Sequence, residues 1–308
     1  MGTATREAYG KALAELIVEN EKVVVLDADL TKSTKTIDAK NACPQRHFNM
    51  GIAEGNMMAV AAGLAASGQI VYASTFAMFA SGRAFEQIRN SICYPHLNVK
   101  VCATHAGLTV GEDGASHQSV EDLAIMRAIP NMQVFQPCDA TETKAIIKAI
   151  ADIDGPCYVR LGRGGVADVF DEADYKFEYG KGIVVRPGKK VAIFATGMMV
   201  QEALKALDTL KEEGIEPTLI NIHTIKPIDA DLIEEMAKTH DAFITCEEHN
   251  VIGGLGSAVA EVCATRCPKS ITMVGIKDTF GESGKPAELI AKYEIDADAI
   301  VKAIRKVW

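Results

Sequence analysis

From Val99 to Gln118 the chain reads VKVCATHAGLTVGEDGASHQ. The apolar run Val99 to Ala103 has the pattern of a buried strand, and Val120 to Ile129 has helical spacing. The stretch between them, His105 to Gln118, is therefore a strand-to-helix loop. Loops at the carboxyl ends of parallel strands lie where open α/β sheets bind ligands. This one carries two imidazoles (His105 and His117), two carboxylates (Glu112 and Asp113) and three glycines, a composition that suits chemistry better than packing. A solvated connection whose histidines cap or hydrogen-bond locally has the same composition.

On either side of this loop, apolar strand-like runs alternate with helical patterns, the signature of a doubly wound α/β architecture with mainly parallel strands. The predicted strands of the first half are Val23 to Leu26, Ile70 to Ala73, Val99 to Ala103, Met132 to Phe135 and Cys157 to Arg160. The predicted helices are Thr5 to Val18, Glu54 to Ala66, Phe79 to Cys93 and Thr141 to Ala151. From Gly162 to Pro187 the alternation lapses into a glycine-rich, then acidic and aromatic stretch. A second alternating set follows, from Val191 to Val274. Two doubly wound α/β domains are expected, residues 1–165 and 188–308, joined by a linker over 166–187. The halves do not repeat in register.

The 308 residues, 48% of them hydrophobic, are enough for two cores. A net charge of -9 and the absence of any lysine or arginine run argue against nucleic acid as a partner. No leader pattern opens the chain, and its apolar stretches are too short or too interrupted to span a bilayer, so no membrane partner and a cytoplasmic address are expected. The eight scattered cysteines read as reduced, packed thiols. Cys263 and Cys267 stand one helical turn apart but lack further ligands at zinc spacing, and no metal site is expected on this chain.

Three further features carry candidate chemistry. Glu54, in Gly51-Ile52-Ala53-Glu54-Gly55-Asn56-Met57, heads an apolar helix, where burial favours a proton-sharing carboxyl. A first-turn glutamate complementing the helix dipole fits the position equally. Phe76 and Phe79, at the end of a predicted strand, could stack on a flat heteroaromatic ring or could be core. Arg6, Ser33 and Arg163 are separated anion-binding candidates, although lone arginines are usually just solvated.

Taken in order, Ala4-Thr5-Arg6, Asp29-Leu30-Thr31, Gly51 to Met57, Ser74-Thr75-Phe76, His105, Gly111 to Gln118 and Arg163 make the chain resemble the C-terminal half of a transketolase over essentially its full length. The resemblance implies a thiamine-enzyme pyrimidine-binding domain followed by a transketolase C-terminal domain. It implies that Glu54 hydrogen-bonds N1′ of the aminopyrimidine of thiamine diphosphate, that Phe76 and Phe79 pack on that ring, and that Asp29 lies near the thiazolium. It further implies that His105 and His117 exchange protons with a donor ketose, that Asp113 holds a sugar hydroxyl, and that Arg6, Ser33 and Arg163 clamp a sugar phosphate. The implied activity is transfer of a two-carbon ketol unit from a ketose phosphate to an aldose phosphate.

Departures from the family pattern accompany the matches. Gly55-Asn56 stands where full-length transketolases usually carry histidine-alanine, Gly82 where many place another aromatic residue, and Gly107-Leu108 where bulkier or more polar residues adjoin His105. The Gly-Asp-Gly and downstream asparagine that hold the metal and diphosphate in thiamine enzymes are not found. A split enzyme is therefore expected, in which a separate N-terminal transketolase subunit supplies the diphosphate-binding domain and the ligands for Mg or Ca, the cofactor is shared between subunits, and two chains of each kind form a heterotetramer. The beta subunit of a 2-oxo acid dehydrogenase first component and the deoxyxylulose phosphate synthases share the Gly-Ile-Ala-Glu string. A non-catalytic scaffold paralogue and a metal hydrolase using His105, Asp113 and His117 are readings of another class.

Overall fold

The computed structural model describes residues 2–308. Packing divides the chain into two units, one comprising the N-terminal segment up to Ala106 with Ile125–Phe177, the other Gly107–Ala124 with Glu178–Trp308. The break between units at Phe177 and Glu178 lies inside the expected linker. The segment 107–124, expected in the first domain, packs with the second unit. The reason is the set of hydrogen bonds it makes there, described below.

In the first unit six strands, β1 (Val23–Asp27), β2 (His47–Asn49), β3 (Ile70–Phe76), β4 (Val99–Thr104), β5 (Gln133–Phe135) and β6 (Cys157–Arg160), run in the order β5-β6-β4-β3-β1-β2. All neighbours are parallel. Every residue of β1 and β4 is buried, because a parallel sheet covered on both faces needs continuous apolar runs rather than alternation. Helices α1 (Thr5–Glu19), α2 (Thr31–Thr34), α3 (Ile37–Ala42) and α4 (Glu54–Ala66) follow in sequence, and α5 (Asp122–Ala128) contains the point where the chain passes from the second unit back to the first. Tyr9, Leu13 and Ile17 of α1 join Ile146 and Ile147 of α6 (Ala140–Ala149) and the sheet residues Val23, Val25, Tyr72 and Val159 in one core. Strand β2, only three residues long, carries no readable alternation.

The expected helix Phe79 to Cys93 is instead two π-helical segments, Phe79–Arg83 and Gln87–Cys93. Widened turns of this kind redirect side chains and are frequent at functional sites.

In the second unit, β7 (Ile183–Arg186), β8 (Lys190–Ala195), β9 (Thr218–Asn221), β11 (His240–Asn250) and β12 (Ile271–Ile276) form a sheet in the order β12-β11-β8-β9-β7. It is parallel except for the edge strand β7. A further short strand, β10, spans Thr224–Lys226. Helices α7 (Met199–Leu210), α8 (Ala230–Thr239), α9 (Leu255–Arg266), α10 (Pro286–Lys292) and α11 (Ala297–Val307) complete the unit. Strand β11 runs past the expected Ala242 to Cys246, so Glu247, Glu248 and His249 are buried in it. The Glu247 carboxylate accepts the N–H groups of Leu255 (2.6 Å) and Gly256 (2.8 Å), satisfying first-turn donors of α9 with an internal anion.

Residues 168–177 leave the first unit along the start of α6. Asp139 caps that helix through Glu142 N–H (2.8 Å) and its other oxygen accepts Val169 N–H (2.8 Å) and Phe170 N–H (2.9 Å). The fully buried Glu142 accepts Cys138 N–H (2.7 Å) and the Tyr175 hydroxyl (2.8 Å). Burial pushes the Glu142 carboxyl up from its ordinary 4.5 to about 7. Because the folded value is the higher one, the protonated carboxyl contributes its full stability below the ordinary value and loses it as pH rises through about 7. Glu142→Gln, which cannot ionise, should flatten the fall of the melting temperature between pH 5 and pH 8, each tenfold difference in proton affinity between the folded and unfolded chain being worth about 1.4 kcal/mol. Parallel pH profiles for the variant and the parent would contradict this.

Candidate functional site

The carboxyl edge of the first unit's sheet assembles the first group of candidates. Parallel pairing sets Phe76 of β3 beside Thr104 of β4, so the next residue, His105, emerges against the Phe76 ring. The two rings stack with centroids 3.9 Å apart and planes 25° apart. His105 holds a left-handed backbone (φ 56°), which costs a β-carbon-bearing residue free energy, and Thr104 Oγ1 lies 3.0 Å from its Nδ1. Phe79 lies 5.9 Å from Phe76 with planes 17° apart. Together the two rings offer near-parallel apolar faces.

Glu54 begins α4 and is 1% exposed. It does not stand alone there, as its apolar sequence surroundings suggest. Arg83, from the first π-helical segment, donates to both carboxylate oxygens (3.1 and 3.0 Å) while its guanidinium lies 4.4 Å above the centre of Phe79. Both bonds leave one guanidinium nitrogen, Nη1, which straddles the two oxygens and supplies the counter-charge that a buried carboxylate needs. Glu54, Arg83, Phe79, Phe76 and His105 thus form one continuous line of contacts. Arg83 is the candidate residue that sequence reasoning missed; its spacing of four from Phe79 was the available signal, but the contact depends on the widened turn.

The separated arginine candidates also meet. Arg6 donates from Nε to the Arg163 carbonyl (3.0 Å) and from Nη1 to the Ser33 carbonyl (2.8 Å). Gly162 N–H donates to Thr5 Oγ1 (2.8 Å), which ties the start of α1 to the strand exit that carries Arg163. Burial, with the Arg163 charge adding to it, holds the Arg6 guanidinium below its ordinary pKa. Two cations so placed gain from an anion between them. Ser33 presents its carbonyl, not its hydroxyl, to Arg6.

Asp29 is exposed, with φ 62°, and Asn49 grips it: Asp29 N–H donates to Asn49 Oδ1 (3.0 Å) and Asn49 Nδ2 to Asp29 Oδ1 (3.1 Å). The same Asn49 oxygen accepts Gly51 N–H (2.9 Å), so one side chain fixes both the Asp29 turn and the approach to Glu54. Behind them the buried Asp27 accepts Leu30 N–H and the hydroxyls of Thr31, Thr34 and Thr36, shaping the segment from Asp29 to Ser33.

Asp113 and His117 lie in the second unit. Leu108–Asp113 forms 3-10 turns kinked at Gly111 (φ 84°), a conformation open to glycine. Asp113 is exposed, and His117 Nδ1 lies 3.0 Å from Ser116 Oγ. Among the described residues no group of three or more histidine, cysteine or acidic side chains is placed to hold a metal ion, and no helix is long and apolar enough to cross a membrane. Among the described residues none of the eight cysteines is joined in a disulfide.

Comparison with known proteins adds to this geometry. The transketolase pyrimidine-binding domain matches residues 1–167, and the transketolase C-terminal domain matches residues 180–300. The chain is 51% identical, over 97% of its length and 94% of the relative's, to a protein of Methanocaldococcus jannaschii named as a transketolase C-terminal section. It is 40% identical, over 98% of its length and 94% of the relative's, to a 6-deoxy-6-sulfo-D-fructose transketolase subunit of a Clostridium species. A solved structure described as a split gene transketolase, an inactive beta4 tetramer, superposes with a TM-score of 0.93 at 57% identity, covering 99% of this chain and 98% of the other.

The ion pair at Glu54 is open to a direct check. Arg83→Met keeps the aliphatic stem but leaves the buried carboxylate without its partner, and should lower stability by roughly 1–3 kcal/mol in thermal or urea melts. Adding Glu54→Gln should recover most of the loss. An Arg83→Met chain that melts with the parent would contradict the pairing.

Proposed function

The chain belongs to the transketolase family, and on that premise we propose that it is the C-terminal subunit of a two-chain transketolase that transfers a two-carbon ketol unit from a ketose phosphate to an aldose phosphate. The observation that carries this reading is the contact line from Glu54 through Arg83, Phe79 and Phe76 to His105. Its donor set fits an aminopyrimidine: a buried carboxyl for the ring nitrogen and near-parallel phenyl faces for the ring. Thiamine diphosphate, when bound, supplies the electron sink for breaking the carbon–carbon bond next to the donor ketone.

In this reading Glu54 holds and moves a proton at N1′ of the pyrimidine, and its burial keeps water from competing for that bond. Phe76 and Phe79 hold the ring. His105, pinned by its left-handed backbone and by Phe76, presents its imidazole for proton exchange with the donor sugar. The family pattern gives His117 the same kind of work, Asp113 a sugar hydroxyl and Asp29 a place near the thiazolium. Arg6 and Arg163 hold the sugar phosphate, and their mutual proximity favours a phosphate ester over an apolar 2-oxo acid. Ser33 serves by positioning Arg6.

The diphosphate and its Mg or Ca ligands come from a separate N-terminal transketolase subunit, with a heterotetramer as the assembly. The inactivity stated for the similar beta4 tetramer fits that division. The intact charge pair at Glu54 speaks against a scaffold paralogue.

The assay is ketol transfer by this chain mixed with a diphosphate-binding half, thiamine diphosphate and magnesium. Glu54→Gln should lower kcat at least about a hundredfold, and an unaffected rate would contradict the assignment. Arg6→Ala should raise KM for phosphorylated sugars by roughly ten- to a hundredfold while leaving unphosphorylated analogues little changed. Equal losses on both would contradict the phosphate role.

A further inference from the structure

The loop that carries Asp113 and His117 is bonded, backbone group by backbone group, to the rest of the second unit. Glu248, 3% exposed near the end of β11, accepts Thr109 N–H at 2.6 Å. Gly107, with φ 79°, lets the backbone lie directly on that carboxylate, since a Cβ at this position would overlap it. Gln118, at the other end of the loop, donates from Nε2 to the carbonyls of Leu108 (3.1 Å), Gly111 (3.2 Å) and Glu282 (2.9 Å). Asn250 N–H donates to the Val120 carbonyl (2.7 Å), and the Ser283 hydroxyl donates to the Glu112 carbonyl.

Nothing in helix or sheet formation requires these bonds. A strand-to-helix connection of this length ordinarily has its backbone solvated, yet here its peptide groups are met by a buried charge and a buried amide at both ends. We infer that the second unit serves as a brace for this loop, with Glu248 and Gln118 as positioning residues that hold Asp113 and His117 in a single arrangement. Neither of the two touches the reacting atoms in this scheme. Of the departure Gly107-Leu108 from the family pattern, the contact accounts for Gly107: glycine there is what allows the chain to lie on Glu248. The inference rests on the proposed function for the meaning of Asp113 and His117, but the brace itself is readable without any activity.

The test is amide hydrogen exchange across residues 107–120 in the full chain carrying Glu248→Ala, Glu248→Asp or Glu248→Gln. Glu248→Ala removes the acceptor and Glu248→Asp draws it back by one methylene; each should speed exchange of the loop amides by about tenfold or more, with the β8 and β9 amides unchanged. Glu248→Gln keeps a carbonyl at the same reach and should retain most of the protection. In the mixed enzyme, Glu248→Ala should then raise KM for the donor sugar and lower kcat without altering the thiamine diphosphate concentration that half-saturates it. Equal protection in the Asp and Gln variants, or a loss spread uniformly over the second unit, would overturn the brace. If Glu248→Ala does not fold, the Asp and Gln pair decides alone. A loosened loop with intact exchange elsewhere but no ketol transfer in the parent would sink the proposed function and leave the brace standing.

Discussion

Parallel registration of β3 against β4 is the constraint on which the first unit's site depends. Pairing Phe76 with Thr104 places the residue after each strand at the same edge, which is why the His105 ring lands on the Phe76 ring. A slip of one residue would turn every side chain of the moving strand to the opposite face. What prevents it is burial, complete in β4 and lacking only at Ile70 in β3, together with buried polar groups whose partners a slip would remove: Tyr72 donates to the Ile147 carbonyl, Ser74 meets the Tyr9 hydroxyl and Lys100 donates to the Gly155 carbonyl. The left-handed backbone at His105 is sustained by this framework, since the strand on one side and the stacked ring on the other leave the residue little choice.

Buried carboxylates recur at the ends of elements. Asp27 shapes the turn after β1, Glu54 is paired at the start of α4, Glu142 ties the start of α6 to the departing chain, and Glu247 closes the start of α9. Each meets N–H groups, hydroxyls or a guanidinium that would otherwise be orphaned, which is the condition for a charge or polar group to lie inside a protein. Glu54 differs from the others in its partner. Its counter-charge is a half-exposed arginine that also covers Phe79, so the carboxylate is satisfied by a group able to leave. In the proposed function, aminopyrimidine binding by Glu54 therefore exchanges one hydrogen-bond partner for another and does not create a new site.

The architecture was legible because α/β alternation and buried parallel strands leave strong patterns, and Glu54, Phe76 and His105 were legible because each sits at an element end marked by a short string. Arg6 and Arg163 were visible only through the family's order, their contact spanning 157 residues. Arg83 was hidden by a widened helical turn that no periodicity announces. Asn49 was hidden by the shortness of β2. Glu248 reaches the loop across 139 residues, and the packing of 107–124 with the second unit follows from such long-range bonds, not from anything local to the loop. The terminal helices α10 and α11 follow the last strand, β12, and so lie beyond the strand-and-helix alternation that marks the rest of the unit.

In the proposed division of labour this chain holds the acid–base half of a thiamine site and a second chain holds the diphosphate half. It is tested most directly by proton NMR of deuterium exchange at the thiazolium C2 of thiamine diphosphate with magnesium, before any sugar is added. Slow, solution-like exchange is predicted with this chain alone and with the diphosphate-binding half alone, and rapid exchange when the two are mixed. Rapid exchange with either chain by itself, or none with the mixture, would contradict the division.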